Sequence, residues 1–160
     1  MRDDLPQIIA LARQHGFGLV QINTNGLRLS REQGYARALR EAGLDSVYLQ
    51  WDGVSESSFT SLRGRECLDF KRRAVRNCAE AGLGVVLVAT LVHGVNDGEL
   101  GDLLRMALEL GPAVRGLHMQ PAAFFGRYPW SLEEAPRLTL PEVMGALARQ
   151  APEMVSPSHL

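Results

Sequence analysis

The 160-residue sequence has little excess charge and no long apolar run. Its formal net charge of -1 at pH 7 lacks the positive excess typical of nucleic-acid binders, so we expect no nucleic acid as a partner. No apolar run approaches the roughly 20 residues that a membrane-spanning helix needs, and the acidic start does not resemble a signal peptide. The sequence therefore predicts a cytoplasmic protein with no membrane span.

Cysteine is also scarce, because Cys67 and Cys78 are the only two in the chain. They are too few for a disulfide scaffold and too far apart for a metal-binding Cys-x2-Cys pair. Their spacing predicts that both lie on one side of a single helix, as buried thiols that act as small apolar groups. A redox or metal role is the alternative.

A weak repeat runs along the chain, in which a predicted helix ends at a glycine and a strand follows. The clearest copies have Gly43 before the strand at 46–51 and Gly82 before the strand at 85–90, and looser copies have Gly16 and Gly111. Strands that alternate with amphipathic helices indicate right-handed βα crossovers and a parallel sheet. Side-chain caps are expected at the helix starts, in the pairs Asp4 with Gln7, Ser30 with Gln33, Asn96 with Glu99, and Thr139 with Glu142.

Alternate residues of the predicted strands are polar, which separates two faces of the sheet. The polar face carries Gln21, Asn23, Asn25, Tyr48, Gln50, Asp52, His118 and Gln120. A flat sheet covered by helices on both sides would be apolar on both faces, whereas a barrel can turn a polar face towards a ligand. Because a full (βα)8 barrel needs about 250 residues, the fold class is α/β, a partial TIM-like barrel arc of about four parallel strands flanked by helices. We assign residues 1–130 to this arc and residues 131–160 to a C-terminal helix and tail.

The carboxyl ends of parallel strands are where ligand sites of such folds collect. In this sequence those ends are rich in hydrogen-bonding side chains and glycines: Asn23–Gly26, Gln50–Gly53, Thr90–Asp97 and Gln120–Pro121. Turn and cap residues would explain any one of them, but their agreement favours a ligand site.

These strand ends, in this order, resemble the middle of a radical S-adenosylmethionine (radical SAM) enzyme barrel. The similarity lies in Thr24-Asn25-Gly26, Leu49-Gln50-Trp51-Asp52-Gly53, Leu62-Arg63-Gly64-Arg65, Gly94-Val95-Asn96-Asp97, and Arg115–Pro121 continuing to Gly126-Arg127-Tyr128-Pro129. The branch with tetraether-lipid synthases and methanopterin-type methylases is the most similar. The resemblance implies strands three to six of that barrel, S-adenosylmethionine as cofactor, a small-molecule substrate, and a [4Fe-4S] cluster in the full-length parent.

By the same resemblance, six residues are expected to bind the cofactor: Thr24, Asn25, Gln50, Asp52, His118 and Gln120. Gln50 and Asp52 would contact the ribose or methionine part, and His118 and Gln120 the adenine or substrate side. Arg63 and Arg65 beside Gly64 could hold a carboxylate or phosphate, and Arg127 is a further candidate for substrate binding. A metal site at His93 and His118 is a weaker alternative.

The family's Cys-x3-Cys-x2-Cys cluster loop and its Gly-Gly-Glu-Pro motif do not occur in the sequence. Reductive cleavage of the sulfonium needs a cluster held by thiolates. We therefore expect a fragment of a radical SAM enzyme that does not ligate the cluster and is inactive alone, whereas the full-length parent performs a radical alkylation or methylation. The alternatives are a non-catalytic half-barrel that pairs with a partner or with itself through its exposed sheet edges, and a phosphate-binding βα enzyme.

Overall fold

The computed structural model describes residues 2–124, 135 and 137–156. Helices and strands alternate over most of this range. In chain order they are α1 (Leu5–Gln14), β1 (Gln21–Thr24), α2 (Leu27–Arg31), α3 (Tyr35–Glu41), β2 (Ser46–Gln50), α4 (Glu56–Arg63), α5 (Leu68–Glu80), β3 (Gly84–Leu91), a short 3₁₀ turn (Asp97–Glu99), α6 (Leu100–Glu109), β4 (Val114–Pro121) and α7 (Leu140–Gln150). The chain's first element is a helix, as the sequence predicts.

The four strands form one parallel sheet in the order β1-β2-β3-β4. Each strand lies beside its sequence neighbour, and the connection between them carries at least one helix, as βα units require. The register aligns Gln50 with Val88 and Val88 with His118, and one row further it aligns Thr90 with Gln120. Side chains from three strands therefore form rows across the sheet. The arc of four parallel strands with flanking helices confirms the predicted fold class.

The core lies on one face of this sheet. Alternate residues of β2 and β3 are fully buried against helices, and they include Val47, Leu49, Val85, Leu87 and Ala89. The buried positions of α5 recur at helical spacing, at Lys71, Ala74, Val75 and Cys78, so this helix lays one stripe on the sheet. The opposite face of the sheet carries the polar residues that the alternation predicts.

Glycines end the helices as the repeat predicts, because Gly16, Gly43, Gly82 and Gly111 all have left-handed backbones. The predicted side-chain caps are less successful. Only Thr139 caps its helix, in a reciprocal pair with Glu142. The cap at Ser30 is wrong, since Ser30 lies inside α2 and donates a hydrogen bond to the carbonyl of Leu27.

Asp4 and Asn96 also lack a side-chain cap hydrogen bond.

The expected placement of both cysteines on one helix is wrong as well, because Cys67 precedes the first residue of α5 and only Cys78 lies within that helix. Both thiols are free and buried, as predicted. Burial raises the pKa of Cys78 to about 12, so that thiol stays protonated at neutral pH.

Among the residues described, no helix combines the length and the apolar character needed to cross a membrane. The division at residue 130 and the cytoplasmic location remain predictions.

Candidate functional site

The polar face of the sheet forms the floor of an open cavity of about 480 Å³ at the carboxyl ends of the strands. We call it the polar cavity. It is lined by Asn23, Thr24, Asn25, Tyr48, Gln50, Val88, Thr90, His118 and Gln120. Five of the six residues predicted to bind the cofactor therefore line one cavity, and only Asp52 does not. Among the described residues, the lining holds amides, hydroxyls, a phenol and an imidazole but no carboxylate, guanidinium or ammonium group.

Asp52 lies just beyond the end of β2 and is completely buried. One carboxylate oxygen accepts hydrogen bonds from Arg63 at 2.9 Å and from the backbone N–H of Thr90 at 3.2 Å. The other accepts from Arg63 at 2.8 Å and from the Gln50 side-chain amide at 3.0 Å. Asp52 and Arg63 thus form a bidentate ion pair, and the carboxylate raises the pKa of Arg63.

This arrangement changes what Asp52 and Gln50 can offer a ligand. All four hydrogen bonds of the Asp52 carboxylate go to protein groups, so its place is beneath the cavity floor. Because the Gln50 amide nitrogen donates to Asp52, the Gln50 amide oxygen is left to accept a hydrogen bond from the cavity. Arg63, predicted from the sequence to bind substrate, uses two N–H groups on Asp52 and remains partly exposed.

A second cavity of about 380 Å³ adjoins the first and shares Asn25 and Gln50 with it. We call it the cationic cavity, because Arg63, Arg65 and Lys71 line it together with Cys67 and Phe70. The Arg65 guanidinium lies 5.4 Å from the centre of the Phe70 ring. Of these three cations, only Arg63 has a carboxylate partner among the described residues. The cationic cavity therefore has excess positive charge, which suits an anion.

Lys71 is the only lysine in the sequence, and 1% of it is exposed. Its ammonium group donates hydrogen bonds to the backbone carbonyls of Asn25, at 3.2 Å, and of Gln50. It also lies 5.4 Å from the Phe70 ring and 5.6 Å from the Phe59 ring. Burial lowers the pKa of Lys71 to about 8, against the opposing effect of the Asp52 carboxylate.

Sequence reasoning missed Lys71 as a site residue. The available signal was composition, because a chain with 17 lysines and arginines uses lysine only once, on the apolar stripe of a helix. Tyr48 and Thr90 also line the polar cavity; the sequence put Tyr48 on the polar face and Thr90 at a strand end but assigned neither to a ligand. Arg127 lies outside the described residues, and its predicted role stays a prediction.

No cluster of three or more His, Cys, Asp or Glu side chains able to hold a metal occurs in the described part of the chain. For the weaker alternative of a metal at His93 and His118 with Asp52 or Asp97, His93 does pair with Asp97 at 2.8 Å, but no third ligand joins them within the described part of the chain. The two buried cysteines do not fit a [4Fe-4S] cluster, which needs more thiolates than two. In contrast, hydrogen-bonding groups beside a cationic cavity fit a nucleoside that carries an amino-acid carboxylate.

Comparison with known proteins identifies the class. The sequence profile of the radical SAM superfamily matches residues 1–107, which is more than half of the chain. This chain belongs to the radical SAM superfamily.

The chain is similar over most of its length to particular members of that family. It is 42% identical to the 7,8-dihydro-6-hydroxymethylpterin dimethyltransferase of Methanocaldococcus jannaschii over 151 residues, which are 94% of this chain and 30% of that protein. It is 37% identical to the GTP 3',8-cyclase of Paenarthrobacter nicotinovorans over 123 residues, 76% of this chain and 34% of that protein. It is 39% identical to the Fe-coproporphyrin III synthase of Methanosarcina barkeri over 93 residues, 57% of this chain and 22% of that protein.

These matches confirm the resemblance to the methanopterin-type branch of the family. The chain spans about a third or less of the length of these relatives.

Proposed function

We propose that this chain is the part of a radical SAM protein that holds S-adenosylmethionine at its two cavities. The carrying observation is that an uncharged polar cavity adjoins a cationic cavity across Asn25 and Gln50. S-adenosylmethionine combines a neutral nucleoside rich in hydrogen-bonding groups with a charged amino-acid end. The two cavities match these two halves.

Each predicted residue then has a specific task. The Gln50 amide oxygen would accept a hydrogen bond from a ribose hydroxyl, because its amide nitrogen is committed to Asp52. His118 and Gln120 would contact the base, Thr24 would line the nucleoside half, and Asn25, which both cavities share, would lie between the two halves. Arg65 and Lys71 would bind the carboxylate. Arg63 is already paired with Asp52, so Arg65 and Lys71 are the cations of this cavity that remain for a ligand.

When bound beside a reduced iron–sulfur cluster, S-adenosylmethionine supplies a carbon radical by cleavage of its sulfonium. The two cysteines of this chain are too few to ligate that cluster, so we propose that the 160 residues alone do not carry out the reaction. The radical methylation or alkylation that the resemblance implies is a proposal for a full-length protein.

Ligand binding and cluster reconstitution together test this proposal. We expect S-adenosylhomocysteine to bind more tightly than methylthioadenosine, which lacks the amino-acid end, when both are measured by calorimetry. Lys71→Met should weaken S-adenosylhomocysteine binding about tenfold more than methylthioadenosine binding, because an ion-paired hydrogen bond contributes about 1.5–3 kcal/mol.

The matched control is Arg76→Met, which removes an exposed cation from the same helix and should leave both affinities unchanged. Equal losses for both ligands in Lys71→Met would contradict the assignment of the carboxylate. Anaerobic reconstitution with iron and sulfide should give no [4Fe-4S] absorption, and a stable cluster on this chain would refute the proposed inactivity.

A second candidate function is association through the edge of the sheet. Strand β1 has no neighbour on its outer side in the described part of the chain, and large apolar side chains beside it are exposed. We propose that this edge pairs with another strand, from a second copy or from a further βα unit.

A further inference from the structure

The buried side chain of Asn96 connects the ends of the two central strands. It lies in the loop after β3, and it is completely buried. Its amide nitrogen donates hydrogen bonds to the backbone carbonyls of Asp52, at 2.6 Å, and Thr90, at 2.8 Å. Its amide oxygen accepts from the backbone N–H of Val92 at 2.8 Å. Both N–H groups of the amide are therefore used to hold β2 and β3 together where the sheet ends.

The two residues whose carbonyls accept hydrogen bonds from Asn96, Asp52 and Thr90, also determine the arrangement of side chains on the floor of the polar cavity. Thr90 lines that cavity, and its N–H donates to the Asp52 carboxylate at 3.2 Å. The same carboxylate accepts from Gln50 and so fixes the direction of the Gln50 amide. A shift of the Asp52 or Thr90 backbone would therefore move or turn the side chains that face the ligand.

A second contact fastens the same two loops. Glu99, in the 3₁₀ turn after β3, accepts hydrogen bonds from the N–H of Val54 at 2.8 Å and from the Ser55 hydroxyl. It lies so close to Gly53 that a Cβ at position 53 would be 2.5 Å from the Glu99 carboxylate. The loop after β3 thus holds the loop after β2 through residues that do not line the polar cavity.

We propose that Asn96 is a positioning residue for the ligand site. It contacts no ligand itself, and it acts by fixing the backbone of Asp52 and Thr90, so that Gln50 presents its amide oxygen to the polar cavity. The inference rests on the proposed function in that the ligand is taken to be S-adenosylmethionine. The fixing of the two strand ends stands independently of the ligand's identity.

The test compares two asparagine-to-aspartate substitutions of equal size. Asn96→Asp replaces the two N–H donors by a carboxylate that faces two carbonyl oxygens, which repel it. Asn77→Asp is the matched control, because Asn77 also donates through its side-chain amide to one backbone carbonyl, that of Leu29, at 2.7 Å, but remote from both cavities. Amide hydrogen exchange and calorimetric titration with S-adenosylhomocysteine are measured for both variants and the parent chain.

In Asn96→Asp we expect the protection of the Thr90 and Val92 amides to fall at least about tenfold more than that of the Ile22 amide in β1, with a similar loss of affinity. Asn77→Asp should lower protection near Leu29 and leave affinity within about twofold. The inference is overturned if both variants lose protection evenly over the sheet, or if their affinities match. If the parent chain does not bind S-adenosylhomocysteine, the proposed function fails, while the exchange pattern still decides the role of Asn96.

A measurement on the parent chain covers the case in which Asn96→Asp does not fold. The side-chain amide protons of Asn96 should exchange more slowly than those of Asn77, and added S-adenosylhomocysteine should slow them further. Equal exchange rates for the two side chains would overturn the positioning role.

Discussion

The single lysine of this chain shows how one buried charge can shape a site. Lys71 lies on the apolar stripe of α5, where an apolar side chain would pack, yet it sends its ammonium group to the ends of β1 and β2. An ammonium is compact and has three N–H donors, so two can hold carbonyls while one remains for a ligand. Arginine could not bind two carbonyls from so confined a position with the same geometry.

The titration of Lys71 is open to direct measurement, because no other lysine contributes a signal. Burial lowers its pKa in the folded protein to about 8, from an ordinary value of 10.5. Between these two pH values the unfolded chain binds more protons than the folded one, so the contribution of this group to stability rises with pH across that window. With 1.36 kcal/mol per pKa unit, the rise is on the order of 3 kcal/mol.

We expect the Nζ resonance of ¹⁵N-lysine-labelled protein to titrate near pH 8. The free energy of unfolding of the parent chain relative to Lys71→Met should then increase from pH 8 to pH 10.5. A midpoint above pH 10, or a difference that does not vary with pH, would contradict the role of burial.

Residue-scale prediction succeeded where strand geometry determines the direction of a side chain. Alternation put Gln50, His118 and Gln120 on one face, and they line one cavity. It failed for Asp52, which alternation put on the same face, because the chain leaves the strand after Gln50 and the carboxylate is buried on Arg63. Roles of buried polar groups such as Lys71 and Asn96 depend on partners distant in sequence, which no local pattern encodes.

At the scale of elements, glycines predicted where helices end more reliably than capping side chains predicted where helices begin. A left-handed glycine lies at or just after the ends of α1, α3, α4, α5 and α6, because glycine adopts that conformation without steric cost. Ser30 and Asn96 have cap-forming side chains, but each finds another backbone partner: the Leu27 carbonyl for Ser30, and the Val92 N–H together with two carbonyls for Asn96. Such competition is inherent in short polar side chains and cannot be resolved from sequence.

The turn between β1 and α2 supports the cavity through a glycine that has no room for a side chain. Gly26 has φ of +84°, and a Cβ there would be 2.6 Å from Leu49 Cδ1. Gly34 has nearly the same φ, +83°, with nothing within 4 Å of a Cβ. The two positions therefore separate backbone strain from steric overlap.

We expect Gly34→Ala to cost about 1 kcal/mol of unfolding free energy, from the left-handed backbone alone. Gly26→Ala should cost a further 1–3 kcal/mol or so, because Leu49 and the neighbouring backbone must move to admit the methyl group. Urea unfolding of both variants checks this expectation. Equal losses would show that the Leu49 contact does not restrict the turn.

At the scale of the whole molecule, the outer edge of β1, which has no neighbouring strand among the described residues, is the most consequential feature. Natural edge strands are usually protected by charges, proline or a covering element. None of the four residues Gln21–Thr24 is charged or proline, and three large apolar residues that precede the strand in the chain, Leu11, Phe17 and Leu19, are more than half exposed. The sequence predicted open sheet edges from the number of strands. It could not predict which apolar residues before β1 are exposed, because that depends on how α1 packs.

If this edge associates with another strand, a charge placed beside it should weaken that association. Leu19, two residues before β1, is 63% exposed, and Leu108 on α6 is similarly exposed, at 65%. We expect Leu19→Lys to shift the chain towards monomer in light scattering over a range of protein concentrations, because lysine at a sheet edge opposes strand pairing. Leu108→Lys removes the same apolar side chain away from the β1 edge and should leave the distribution as in the parent chain. Equal effects of the two substitutions would assign the association to general surface hydrophobicity, and a parent chain that is monomeric throughout would rule out pairing of β1 between copies.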